Sequence, residues 1–259
     1  MYSVHPLLQS FAIEKGDSEL KEVILLSKRR FYEHYINVFE MFNEQFLVGE
    51  ATTALVTFNR IERSIWLSLN EGLKDEKLCS KLFNILAKAE IFLYFLYPNE
   101  ITKMESFYEL AVSAAKTREN NVAAYTLLVS KYFFKTRYVY SCAEILPSYN
   151  EKRKEKISSL QGTTSAKYRC YQGICALSNG EAEPGIQLIE KSFPALSNDA
   201  DQQFLKMLSL QLLTVYYNFV NNLEKSSRYL EVLDKECRKF GNLSLILVNV
   251  FSDEIANMH

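Results

Sequence analysis

The side chains best suited to chemistry are few and widely spaced. Histidine occurs at His5, His34 and His259 only. A metal held on one helix needs a second His or Cys at i+3 or i+4, and none of the three has one. Cysteine occurs at Cys79, Cys142, Cys170, Cys175 and Cys237. Cys170 and Cys175 are five apart, which puts the thiols on different faces of a helix, whereas zinc calls for tighter spacing and a second pair. The odd number and irregular spacing read as reduced, structural thiols. Glu62 with Glu71, and Glu181 with Glu183, are the carboxylate pairs that general acid–base chemistry would draw on. Their charged and polar surroundings are explained by solvation. No G-x-x-x-x-G-K-[ST], G-x-G-x-x-G or G-x-S-x-G occurs, which leaves no phosphate-cradling loop and no nucleophile elbow. The Asp-rich metal motifs of a helical terpenoid-type synthase are missing too. The residues therefore predict no catalytic group, no metal site and no cofactor, and the chain reads as a non-enzyme.

The elements around these residues read as helices. With eight glycines and five prolines in 259 residues, the chain lacks the turn glycines of parallel α/β proteins and of β-sandwiches. Gly16 precedes Asp17-Ser18-Glu19, a helix start. Leu20, Ile24, Phe31, Tyr35, Phe39, Phe42 and Phe46 then recur as one buried stripe, and Gly49 ends it. Thr52 to Leu73 forms the next helix. A further one runs from Asp75 through Leu78, Leu82, Ile85, Leu86, Ala89 and Phe92 to Pro98. Glu100 to Ala115 and Asn121 to Leu146 follow. Glu151 to Thr163 marks a break between halves, and helices are predicted at 164–178, 182–196, 200–221, 223–240 and 243–257.

An internal repeat is legible in the second half. Gly173, Gly180 and Gly185 stand at offsets of seven and twelve. In a tetratricopeptide hairpin those offsets carry a small residue at the helix crossing, a turn residue and a second small residue. Thr214, Asn221 and Ser226 repeat the pattern, 41 residues later. Ile189 and Leu230, each four past the second small site, are predicted to pack inward, and Tyr108 is placed two such periods before Ile189. The predicted fold is all-α: antiparallel helical hairpins stacked as a TPR-like superhelix, an α-solenoid. The predicted organisation is 1–16, 17–98 as a first helical array, and 99–259 as TPR-like repeats.

Composition bounds the partners. Thirty basic against 31 acidic side chains give a net charge of −1, so no long-range field draws in nucleic acid or an anionic membrane. Lys28-Arg29-Arg30 and Lys152-Arg153-Lys154 are flanked by acids and read as solvated faces. The apolar runs Ile91–Tyr97 and Met207–Leu223 are too short or too interrupted to span a bilayer. Met1 to Ser10 lacks the pattern of a secretory leader, and the predicted location is cytoplasmic. Aromatic clusters at Tyr132-Phe133-Phe134 and Tyr216-Tyr217-Phe219 make their helices apolar on more than one face. Such helices either sit centrally in a stack or offer a face to a partner.

"YSVHPLLQSFA" resembles the end of the winged-helix domain in signal-transducing NTPases of the NB-ARC (STAND) type. "RRFYEHYINVFEMFNEQFLVG", "KLFNILAKAEIFLYFLYPNE" and "YRCYQGICALSNGEAEPGIQLIEKSF" are similar to the helical region that follows it in invertebrate, cnidarian-type NOD-like receptor relatives. The resemblance covers nearly the whole chain and is diffuse. It implies that 1–16 is the tail of a winged helix and that an NTPase domain lies upstream. It also implies a sensor and autoinhibitory role in innate-immunity or apoptosis signalling. In that family the winged-helix histidine contacts the diphosphate of bound ADP; His5 is the matching position, followed by Pro6 where many relatives carry Asp.

The expected function is thus a non-catalytic module that binds a protein or peptide. The alternative is a TPR-type peptide-binding regulator of the bacterial quorum-sensing class, which would need a DNA-binding or phosphatase-regulating unit that the sequence does not display.

Overall fold

Two structural demands recur along this chain: a tight reversal between helices, and a close crossing beside it. The computed structural model describes residues 10, 14–16, 20–138, 162–178, 180–196 and 198–240. Their regular structure is helical, with no strand among the described residues. The helices are α1 (Lys21–Leu47), α2 (Ala51–Lys74), α3 (Cys79–Leu86), α4 (Glu90–Leu96), α5 (Ile101–Thr117), α6 (Asn121–Tyr138), α7 (Thr163–Ser178), α8 (Ala182–Ser192), α9 (Ala200–Phe219) and α10 (Leu223–Phe240). A 3-10 turn, Phe193–Ala195, follows α8. There Pro194, which has no N–H to donate, ends the helix predicted to reach residue 196.

Four pairs, α1/α2, α5/α6, α7/α8 and α9/α10, pack as hairpins, and one turn serves all four. Two residues past the first helix, the backbone is left-handed at Gly49 (φ 102°), Glu119 (φ 56°), Gly180 (φ 81°) and Asn221 (φ 58°). The next N–H reaches back to a carbonyl of the last helical turn: Glu50 to Gln45 at 2.9 Å, Asn120 to Ala115 at 3.0 Å, Glu181 to Ala176 at 2.9 Å, and Asn222 to Tyr217 at 2.8 Å. This is a Schellman closure, which satisfies carbonyls that the helix end would otherwise leave bare. Asn120 and Asn222 then cap the following helices, accepting from the N–H groups of Ala123 (3.1 Å) and Lys225 (3.2 Å).

The crossings predicted from the small residues are present. A Cβ added at Gly173 would meet the Gly185 carbonyl at 2.7 Å, and one at Gly185 would meet the Gly173 carbonyl at 2.7 Å. In the last hairpin the Ser226 hydroxyl donates to the Thr214 carbonyl at 3.1 Å. The repeat is uneven, however. Tyr108 lies on the first helix of its hairpin and Ile189 on the second, so the two are not equivalent. The two extra helices α3 and α4 separate the first two hairpins.

Three further expectations are corrected. The stripe on α1 begins at Ile36 and continues through Phe39, Phe42 and Phe46, while Leu20 and Phe31 are exposed. Gly72, near the end of α2, packs against Ile36, so the start of α1 extends past its partner helix. The helix predicted from Asp75 to Pro98 is broken at Ala87–Ala89. Five successive residues of α4, Glu90 to Tyr94, are buried, which a helix with one inward stripe does not achieve. Ile189 is buried as predicted, but Leu230 is 54% exposed, and Leu233 and Tyr229 take the inward positions of α10.

One apolar core runs from Ile36 to Leu233. Its densest part is aromatic: the Phe92 ring lies 5.8 Å from Phe39, 5.3 Å from Phe46 and 5.8 Å from Phe58. Burying each such ring contributes roughly 1.5–3 kcal/mol. Between hairpins, α6 packs on α7, α8 and α7 pack on α9, α3 and α4 pack on α6, and α9 also touches α1. No helix among the described residues is long and apolar enough to cross a membrane. The predicted helix at 243–257, the end of the helix predicted to Leu146, the break from Glu151 up to residue 161 and most of 1–16 lie outside the described residues.

Candidate functional site

Among the described residues two convergences of polar side chains bear most on function, one sealed and one open. The sealed one forms because the break between α3 and α4 turns backbone carbonyls into the core. The Leu86 carbonyl accepts from the Tyr108 hydroxyl of α5 at 2.7 Å. The Ala87 carbonyl accepts from the Ser130 hydroxyl of α6 at 3.2 Å and from the Lys167 ammonium of α7 at 3.1 Å. Glu90, fully buried, pairs with Lys167, itself only 4% exposed. The Tyr171 hydroxyl donates to the same Glu90 oxygen at 3.3 Å. Burial pushes the Tyr108 and Tyr171 hydroxyls well above the ordinary tyrosine range, and the Glu90 charge adds to it. Burial likewise raises the Cys170 thiol to about 12. Phenols and thiols shifted this way stay protonated and unreactive. The cluster ties α5, α6 and α7 to one buried turn.

The open cluster lies where α8, α9 and α10 meet. Glu190 accepts from the Tyr217 hydroxyl at 2.9 Å and from the Tyr229 hydroxyl at 2.7 Å. The Lys225 ammonium donates to Glu190 at 3.1 Å and to the Tyr217 oxygen at 2.9 Å, and sits 4.4 Å from the centre of the Tyr217 ring. The Tyr217 and Tyr229 rings stack, 5.8 Å apart at 18°. Partial burial alone would raise the Glu190 carboxyl, but the bonds from Tyr229, Tyr217 and Lys225 outweigh it and hold the group below the usual range. Burial and the same carboxylate move Tyr229 up to about 12. The Lys225 ammonium is held above its ordinary value by its bonds to Tyr217 and Glu190. Exposed apolar side chains lie elsewhere on the same hairpin: Val215 on α9, and Phe219 (75% exposed), Val220 and Leu223 at its tip.

Of the residues singled out in the sequence, His5, Cys142, Tyr140 and His259 lie outside the described residues. His34 is exposed beside Tyr35. Cys79, Cys170 and Cys175 are buried. Glu62 and Glu71 are not brought together: Glu62 accepts from the Tyr97 hydroxyl at 2.6 Å, and Glu71 pairs with Lys74 at 2.6 Å. Glu181 and Glu183 are exposed. Among the described residues no group of three or more His, Cys, Asp or Glu side chains is placed to hold a metal ion. The aromatic cluster of α9 divides: Tyr217 faces inward and Phe219 outward. Sequence reasoning missed Glu190, Lys225 and Tyr229. It also missed Glu90, whose signal was a lone charge inside the apolar run Ala89-Glu90-Ile91-Phe92.

Comparison with protein-family models, with curated proteins and with solved structures finds no match to this chain.

Proposed function

We propose that the chain is a helical-repeat interaction module that binds a protein or peptide and catalyses no reaction, with its hairpins stacked as a TPR-like array. The observation that carries this reading is the shared hairpin turn at Gly49, Glu119, Gly180 and Asn221. Repeating one helix–turn–helix unit builds extended surface for binding. The accessible polar cluster at Glu190 and the apolar tip of the α9/α10 hairpin suit recognition, while the buried cluster at Glu90 is closed to any substrate. Within a larger cytoplasmic signalling protein of the NB-ARC type, such a module acts as the sensor and autoinhibitory part, restraining an upstream NTPase domain. A ligand then shifts the switch only by its preference for the open form. His5 is the nucleotide-sensing residue of that arrangement.

Crosslinking of the full chain to a captured partner tests the module. Crosslinks are expected to fall on α9 and α10, and capture is expected to weaken on Phe219→Ser. Calorimetry with ATP and ADP is expected to show no binding to this chain alone. Tight nucleotide binding by it, or capture indifferent to the α9–α10 surface, would overturn the reading.

A further inference from the structure

The Glu190 cluster is built around a positive charge. Tyr217 and Tyr229, from two different helices, fix the Glu190 carboxylate by hydrogen bonds and stack on one another. Carboxylate and aromatic wall are therefore set without Lys225. Its ammonium fills the position that remains, against a carboxylate oxygen, a phenol oxygen and a ring face. Those three partners are the recognition set for an alkylammonium group. Lys225 has the marks of an exchangeable occupant. Its side chain is 46% exposed. It also stands in the first turn of α10, where the positive end of the helix disfavours a cation.

We propose that Glu190, Tyr217 and Tyr229 form a binding site for a primary alkylammonium group, which Lys225 occupies until a competing ligand displaces it. A lysine side chain of a partner and a free amine share this chemistry. The exposed Phe219, Val220 and Leu223 at the turn of the same hairpin favour a lysine flanked by apolar residues. That choice of source rests on the interaction-module reading; the ammonium site does not.

The test uses the full chain carrying Lys225→Ala, titrated with n-butylammonium chloride and followed by thermal shift and tyrosine fluorescence. Wild type and Lys225→Ala/Glu190→Gln are measured in parallel, with sodium chloride and tetramethylammonium chloride as controls. n-Butylammonium is expected to bind Lys225→Ala at least tenfold more tightly than wild type. The double variant is expected to lose that binding, and tetramethylammonium, which has no N–H to donate, to bind more weakly. An equal response from all three proteins, or none from Lys225→Ala, overturns the site. If Lys225→Ala does not fold, Lys225→Met, which retains most of the stem, is measured instead. The peptide acetyl-Leu-Lys-Phe-amide distinguishes the sources: tenfold tighter binding than n-butylammonium, weakened by Phe219→Ser, supports a partner's lysine. Equal affinities overturn that choice and leave a site for free amines. Partner crosslinking to wild type stays informative if either result is negative.

Discussion

Removing the ammonium of Lys167 is expected to be among the most damaging single changes to this fold. Lys167→Met keeps the length and most of the volume of the side chain, so packing is largely conserved. Glu90 is then left charged, or forced to take up a proton, with its side chain wholly out of water. The Ala87 carbonyl loses the donor at 3.1 Å. Breaking one side of a buried pair costs about 3–5 kcal/mol, which is a large fraction of a typical total of about 5–15 kcal/mol. Glu90→Leu is expected to cost a similar amount, because it strands the ammonium and removes the acceptor of the Tyr171 hydroxyl. The double change Glu90→Leu/Lys167→Met removes both charges at once. It should cost only about 1–3 kcal/mol, because the Tyr171 hydroxyl is left without its acceptor and the Ala87 carbonyl keeps only the Ser130 donor. Urea unfolding of the four proteins, followed by circular dichroism and by tyrosine fluorescence, measures the cycle. The coupling energy should amount to several kcal/mol. A loss below about 1 kcal/mol for Lys167→Met, or a double variant that loses the sum of the singles, would refute the reasoning.

Gly173→Ala would ordinarily favour a helix by about 1 kcal/mol, but here the new methyl meets the Gly185 carbonyl at 2.7 Å. Overpacking against backbone should reverse the sign, giving a net loss of about 2 kcal/mol and a clear fall in melting temperature. Glu119→Gly acts the other way, since Glu119 is an exposed L-residue in the left-handed region. Relieving that conformation should raise stability by up to about 1 kcal/mol in denaturant titration. The lowered Glu190 carboxyl sets a pH dependence. Its contribution is fully present above the unfolded-state value of about 4.3 and is lost as pH falls through the lower folded value. Melting temperatures of Glu190→Gln and wild type should therefore lie apart at pH 7 and converge at strongly acidic pH.

Local constraints were legible in the sequence, and constraints imposed by distant neighbours were not. The offsets of Gly173, Gly180 and Gly185, repeated by Thr214, Asn221 and Ser226, mark crossings and turns because both demands act on a few adjacent residues. Glu119 makes the same turn without a turn residue, so nothing in its type announces it, and the second hairpin stayed out of register with the rest. The apolar face of α1 was overextended because periodicity reports which side of a helix is greasy, not how far its partner reaches. At the candidate site, Tyr217 and Phe219 drew attention as an aromatic pair. Glu190, Lys225 and Tyr229 look ordinary in their own segments, each a single polar or aromatic residue on an amphipathic helix. Only the packing of α8 and α10 on α9 makes them neighbours.

The tie between Tyr171 and Glu90 joins residues 81 positions apart, and it has a temporal meaning during synthesis. At roughly 5–20 residues per second, the segment holding Glu90 leaves the ribosome about 4–16 s before Tyr171 exists. During that interval the Glu90 carboxylate lacks the Lys167 and Tyr171 partners that α7 supplies, while Phe92 already has Phe39, Phe46 and Phe58 to pack on. The nascent chain must hold that carboxylate in water or lend it to a chaperone. A helical array made only of neighbour-to-neighbour contacts would never face that wait.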